Sequence, residues 1–570
     1  MSVSGKKAKY KIIMLRITPS SFKTFAVIAG LVIANSTLTL GQNDPLDSGG
    51  ELLPEQAAYN VHYYDIDLFI EPSDSSLHGS VITHADIVQP LEHFVLDLDT
   101  VFTVNRVVFF DEDHNQVPLQ FETRHGQIWA SFPTTRQPGD KVIIEVEYEG
   151  KPRVAPNPPW EGGFTWAQTA DGHPWIAVTC QLNGADIWWP VKDHPSDRAD
   201  SISINVSVPG SLVVAGPGKL RQKVDHDNGY NSYSWFVSNP INNYALSINI
   251  GPYETIEREF QSTSGESFPM IFWVLPENYE NANNLFGQIK EHMAFYEEYL
   301  GPYPFQGEKY GIVESPHLGM EHQTLIAYGA GYQDDVVFGT DSGFDDLHHH
   351  ELGHEWWGNM VSAYDWRDFW IHEGFCTYMQ PLYAEYLHGP DQYRKFMNAI
   401  RERISNNQPV APRESKSSRE MYGDRDVYMK GAWFLHTLRY LIGDEIFFTA
   451  LRRMAYPEPQ LAHLTDGSNS RFATTDDFLT ITQEVSGRQL DWLFEVYLRQ
   501  EQLPTLRQES EGNKLTLSWS VPDGLQFPMP VEIEVDGVRQ SVQVPGDGSS
   551  VTVEAGRQVR VDPDGWILKK

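Results

Sequence analysis

"DDLHHHELGHEWWGNM", residues 345–360, sets His350, Glu351 and His354 in the pattern H-E-x-x-H. Residues four apart share one face of an α-helix, so both imidazoles can reach one ion while Glu351 stands about 100° round the axis. Two neutral nitrogen donors beside a carboxylate that can handle a proton are the donor set of a catalytic zinc. Such an ion takes three protein ligands, so an Asp, Glu or His must arrive from a neighbouring element. "FWIHEGFCTYM" (369–379) has helical spacing and supplies Glu373, nineteen residues after His354. A solvated helix with a chance match is the competing reading. Against it, a polar trio among Trp356, Trp357, Phe369 and Trp370 is costly to bury unless it is paired or holds a metal.

Outward from this centre the hydrophobic pattern changes period. From about 58 to 253, stretches such as "YNVHYYDIDLFIEP" (59–72), "KVIIEVEYEG" (141–150) and "SISINVSVPGSLVVAG" (201–216) alternate apolar and polar residues between turn residues. That is the pattern of an antiparallel β domain with one wet face. Segments beginning at 281, 347, 369, 390, 431 and 474 carry helical spacing, so the middle of the chain reads as mainly helical. Past Pro504, "LTLSWSV", "VEIEVDG", "QSVQVPG" and "VTVEAGRQVRVDP" read as a small β-sandwich. The divisions are 42–253, 254–505 and 506–570, a multidomain α+β chain. The polar stretch 405–426 reads as a long loop, a common place for function.

With 570 residues, 41% of them hydrophobic, the chain affords large cores. Its first 41 residues hold six Lys and Arg, no acid, and then the apolar run "FAVIAGLVIANSTLTLG". That is the form of a secretory signal peptide, with a retained signal anchor as the alternative; the run is short for a membrane span. The reading is an exported protein, periplasmic or secreted, with no stable span after cleavage. A net charge of −34, more negative still without that basic segment, repels nucleic acid and anionic lipid. Cys180 and Cys376 provide no disulfide framework; one bridge or two buried thiols both fit.

Further motifs lie in chain order: "CQLNGADIWWPVKDHP" (180–195), "LGMEHQT" (318–324) and "VYMKGAWFL" (427–435). With "HELGHEWWGNM" and "WIHEGF" they resemble the gluzincin zinc aminopeptidases, the group of aminopeptidase N and leukotriene hydrolase. The resemblance implies a thermolysin-like catalytic domain with one Zn²⁺ per chain on His350, His354 and Glu373. It implies hydrolysis of the first peptide bond by a zinc-activated water, with Glu351 as general base and Tyr428 stabilising the oxyanion; Tyr422 is the nearest competitor for that part. It also implies that Glu321 binds the substrate's free α-ammonium, that Gln181 shares this duty, and that backbone groups of Gly319 and Met320 line an extended substrate. Partners are then peptides with a free N-terminus. His348 and His349 do not fit the ligand spacing and read as surface residues or supports for the ligands, Glu355 as a residue orienting a ligand, and Cys376 as a small packed residue.

Two departures stand out: His322 and His372 occupy positions where relatives often carry Asn. Many relatives also have a large helical domain beyond the point where this chain has its small β-module. Competing functions on the same scaffold are an epoxide hydrolase, a non-catalytic peptide-binding protein and an endopeptidase. Against the last, Glu321 would face an internal peptide segment with its charge unpaired.

Overall fold

A computed structural model describes residues 46–570 apart from Asp424, Asp523 and Arg557. The expected export signal at 1–41 lies outside the described residues. Strand alternation in the first half does what it predicts: in Tyr59–Glu71 the residues Tyr64, Ile66, Leu68 and Ile70 are buried and their neighbours are wetter. This strand lies inside an eight-stranded sheet. Its order is Lys219–Asp225, Tyr230–Val237, Ser201–Pro209, Tyr59–Glu71, Ser76–Ile87, Lys141–Gly150, Phe102–Phe110 and Gln116–Pro118.

The sheet is not purely antiparallel, as the sequence had suggested, because Tyr59–Glu71 and Ser201–Pro209 run parallel. Alternation reports which face is buried and carries no information about strand direction. Tyr59 stacks on Phe94 at 4.2 Å and Phe109 meets Phe132 edge-on at 5.7 Å, packing a three-stranded sheet (Leu91–Asp97, Gln120–Arg124, Gln127–Arg136) on the large one.

The middle of the chain is helical, with one addition. A five-stranded sheet runs Glu254–Gln261, Ser267–Val274, Tyr310–Glu314, Ile326–Tyr328 and Gly319–Met320. Its inner strand "YGIVE" is buried at all five positions, so it shows no alternation and is too short to betray itself. Gly319–Met320 forms the outer edge and pairs on one side only, with Ile326–Tyr328.

The helices are α1 (Tyr279–Leu300), α2 (Asp346–Gly353), α3 (Trp370–His388), α4 (Pro390–Arg401), α5 (Ser418–Tyr422), α6 (Asp426–Ile442), α7 (Asp444–Ala455), α8 (Thr475–Ser486) and α9 (Asp491–Leu498). Gly443 and Gly487 split what reads as two long helices into four. The loop at 405–426 contains α5, capped reciprocally by Ser417 and Glu420. Among the described residues no helix is long and apolar enough to cross a membrane.

Two three-stranded sheets form the C-terminal module. Trp566 fastens it to the helices by stacking on His436 at 4.6 Å, and Tyr497 donates to the Leu568 carbonyl at 2.7 Å. Cys180 and Cys376 are both buried free thiols.

Candidate metal centre and substrate cleft

Asp345 starts α2 by accepting from the His348 amide at 2.8 Å, and the helix lasts only to Gly353. That single short helix sets His350 and His354 one turn apart. His354 donates from Nδ1 to the Trp357 carbonyl at 2.9 Å, since a carbonyl can only accept. Its Nε2 lone pair therefore faces the cluster. It lies 3.2 Å from His350 Nε2 and 3.5 Å from Glu373 Oε2, and His350 Nε2 lies 3.3 Å from the same oxygen. Bond lengths of about 2.0–2.1 Å to a tetrahedral zinc require ligand atoms ~3.3 Å apart. The three donors are already at that spacing, and the residues fit the ion.

Glu373 comes from the first turn of α3, where helix amides favour a negative charge. Burial pushes its carboxyl up, but His354 and His350 outweigh this and hold it well below the usual carboxylate range. Gly374 and Gly431 bring α3 and α6 together: a Cβ on Gly374 would stand 2.9 Å from the Val427 carbonyl and 3.1 Å from Gly431 Cα. This close crossing sets Tyr428 of α6 beside the ligands, its ring stacked 6.2 Å from that of His350. Burial, then the charge of Glu373, pushes the Tyr428 phenol well above its ordinary value, so it remains a donor. Tyr422 is one ring further away, 6.1 Å from Tyr428.

Glu351 points to the open side of α2. Burial pushes its carboxyl up, and Glu321 and Glu373 push the same way. A Cβ on Gly319 would come within 2.8 Å of Glu351 Oε1, so only glycine lets the edge strand pass this close. Glu321 follows on the same segment, 3% exposed. Its Oε1 accepts from Gln181 Nε2, which also reaches Glu373 Oε1 at 3.4 Å. Glu321, Glu351 and His354 bring one polar atom each within 4.8 Å of one another. The loop bearing Gln181 is held by the chain just before the first strand: Asn183 donates to the Leu46 carbonyl at 3.1 Å and Ser48 N to the Leu182 carbonyl at 3.3 Å.

All nine residues expected at the site thus line one cleft. Of the two readings given to His348 and His349, surface or support for the ligands, the structure has the second: both are fully buried, His348 bonding Tyr310 at 2.8 Å and His292 at 2.8 Å, and His349 packing on Tyr383. They pin α2 to α1, because a helix that must hold ligands in a core is buried on every face. Glu355 orients no ligand; it accepts from Thr324 N at 2.8 Å and Tyr303 OH at 3.2 Å, fastening the segment after Glu321. Cys376 is packed under α2 near the Trp357 carbonyl, as expected. Sequence reading missed Trp160, Arg425 and Phe338, which line the cleft. These come from loops, where no periodicity marks a residue as near the site.

Comparison with known proteins identifies the family. Residues 60–245 match the Peptidase M1 N-terminal domain and residues 286–497 the Peptidase family M1 domain. Leucine aminopeptidase 2 of Vanderwaltozyma polyspora is 24% identical over 344 residues, 58% of this chain and 48% of that one. Leukotriene A-4 hydrolase of Xenopus laevis is 23% identical, covering 59% and 53%. The chain spans about half the length of the curated relatives it matches. The M1 zinc metallopeptidase of Deinococcus radiodurans has the same fold, with a TM-score of 0.64 at 22% identity over 82% of this chain and 100% of that one. The chain belongs to peptidase family M1.

Proposed function

We propose that this protein is a zinc aminopeptidase that removes the first residue of peptides. The observation that carries the reading is the acidic end of the cleft, lined by Glu321, Glu351 and Glu373. Glu321, held by Gln181, stands one residue's length from the metal donors, so a substrate ends there with the one charge that distinguishes a chain terminus from an internal bond. The edge strand Gly319–Met320 offers unpaired backbone groups along the cleft, the arrangement by which an extended peptide is held as an added strand.

Zinc, when bound, supplies a Lewis acid that polarises a carbonyl oxygen and acidifies water. Glu351 takes the proton of the attacking water and returns it to the departing amine, which the raised affinity of its carboxyl for a proton favours. Tyr428 donates from its hydroxyl to the oxygen on which negative charge develops. A carboxylate-lined end suits an ammonium group and not the apolar tail of a lipid epoxide.

The test is hydrolysis of aminoacyl-4-methylcoumarin amides beside their acetylated twins, by wild type and Glu351→Gln. Free-amine substrates should be cleaved, and Glu351→Gln should lower kcat about 10²- to 10⁴-fold with zinc retained. Equal cleavage of acetylated twins would sink the aminopeptidase reading. Export also belongs to the proposal, resting on the pattern of residues 1–41. An N-terminus beginning upstream of residue 30 in protein recovered from the producing cells would contradict it.

A further inference from the structure

The cleft is acidic at its buried end and carries a cation where it opens. Glu321 is 3% exposed, so a substrate whose ammonium sits there can extend only outward. Among the described residues that line the cleft, Arg425 is the only Lys or Arg, and it is exposed. Its place is fixed by the start of α6, where the Arg425 carbonyl accepts from Tyr428 N at 3.0 Å and Met429 N at 3.2 Å. The guanidinium lies over the ring of Trp160, 5.5 Å from the centroid, and among the described residues it has no carboxylate partner.

The backbone of Arg425 is left-handed, with φ 64° and ψ 10°. Glycine adopts that conformation freely, whereas a residue with a Cβ does so at a cost, so the turn itself does not call for an arginine. Arg425 N bonds the Tyr422 carbonyl at 3.4 Å, and the Tyr422 hydroxyl of this same turn is buried on the cleft wall without a hydrogen-bond partner. A guanidinium held over an indole keeps its N–H edge free, and that planar edge matches a carboxylate. The chain carries a net charge of −34 and its cleft holds three glutamates, so an anionic substrate is repelled everywhere else along its path.

We infer that Arg425 is a specificity residue that takes a carboxylate of the substrate beyond the scissile bond, with the Tyr422 hydroxyl as a second donor. The carboxylate belongs either to the C-terminus of a short peptide or to an acidic side chain, since both present the same group. The inference deepens the aminopeptidase reading and rests on its placement of the ammonium at Glu321.

The experiment uses zinc-loaded full-length protein as wild type, Arg425→Gly, Arg425→Glu and Tyr422→Phe, with zinc content and Tm as controls. Glycine removes the side chain and keeps the left-handed turn. Leu-Gly, Leu-Gly-Gly and Leu-Gly-Gly-Gly are compared as free acids and as C-terminal amides, and the amides of Leu-Glu-Gly and Leu-Gly-Glu with their Gln twins. The quantity read is the ratio of kcat/KM within each pair, which cancels any general effect of a substitution on catalysis. In wild type at least one carboxylate peptide should be favoured about five- to tenfold, mostly in KM. Arg425→Gly should bring that ratio close to one, Arg425→Glu should push it below one, and Tyr422→Phe should lower it in part. A merely structural role for Arg425 would move both members of each pair alike.

A preference confined to the free acids identifies the C-terminus and one confined to the Glu peptides a side chain; either, when lost in Arg425→Gly, upholds the inference. If wild type cleaves both members of every pair equally well, or if its preference survives Arg425→Gly, the inference is wrong while the aminopeptidase reading stands. If wild type cleaves none of the peptides, the aminopeptidase reading falls, and calorimetric binding of the same pairs decides the inference by the same ratio.

Discussion

Replacing Glu321 by Gln keeps the shape of the side chain and removes one charge, which makes the worth of that charge measurable. An ammonium in contact with a carboxylate, about 3.5 Å between charge centres, gains ~5 kcal/mol at an effective dielectric near 20. Desolvating the ammonium offsets part of this, and the Gln oxygen retains one hydrogen bond, leaving a net loss of about 2–3 kcal/mol. The expected fall in kcat/KM on leucine 4-methylcoumarin amide is then ~30- to 150-fold, mostly in KM, because the contact is present before and during the reaction. An acetylated substrate should respond in the opposite way, since wild type must leave Glu321 buried and unpaired against it. Steady-state kinetics on the two substrates, with zinc content and Tm as controls, decide the matter. A fall of less than threefold, or an equal fall on both substrates, would refute the assignment of Glu321 to the substrate's ammonium.

Three further outcomes follow from the packing and the charges. Chelation should abolish hydrolysis and lower Tm, because Glu321, Glu351 and Glu373 then face one another without a cation, and added zinc should restore both; an unchanged melting curve would contradict the metal centre. Gly374→Ala forces a methyl against the α6 backbone and should cost about 1–3 kcal/mol in urea unfolding. It should also lower kcat more than it raises KM, because α6 carries Tyr428; wild-type stability would show that the α3–α6 crossing has slack. His436 is neutral in the fold, pushed down by burial to about 3 from its ordinary value near 6.5. Its depressed value means that the unfolded chain takes up a proton first, so this stabilisation is complete above pH 6.5 and is lost as the pH falls. His436→Gln should therefore lose about 2 kcal/mol less than wild type between pH 7 and pH 5, and equal slopes would exclude a buried neutral ring.

Much of the site was legible because its chemistry is compressed into short runs. H-E-x-x-H at helical spacing gives two ligands and a base, and "WIHEGF" the third ligand; their geometry is local and follows from one turn of helix. The roles given to Glu321, Gln181 and Tyr428 came from resemblance, since nothing in a tyrosine or glutamine at those positions announces its neighbours. What the reading lacked was depth. It left open whether His348 and His349 face solvent or support the ligands, and only the packing decides it: α2 is buried and they pin it to α1. Glu355 looks like a partner for the metal ligands by its place in the sequence, yet its carboxylate turns the other way, to Thr324 and Tyr303.

By itself the sequence determined the β, helical and β character of the three parts and the identity of the donor cluster, because periodicity and one-turn spacing are properties of neighbouring residues. Tertiary structure alone decided what stands opposite what. It brought Gln181, Glu321 and Glu373 into one cleft from three separated segments, set Gly374 against Gly431 so that Tyr428 reaches the ligands, and joined Tyr244 to His372. Those juxtapositions come from burying the apolar faces of elements far apart in the chain, and the direction of a buried side chain is fixed only once its partners are in place.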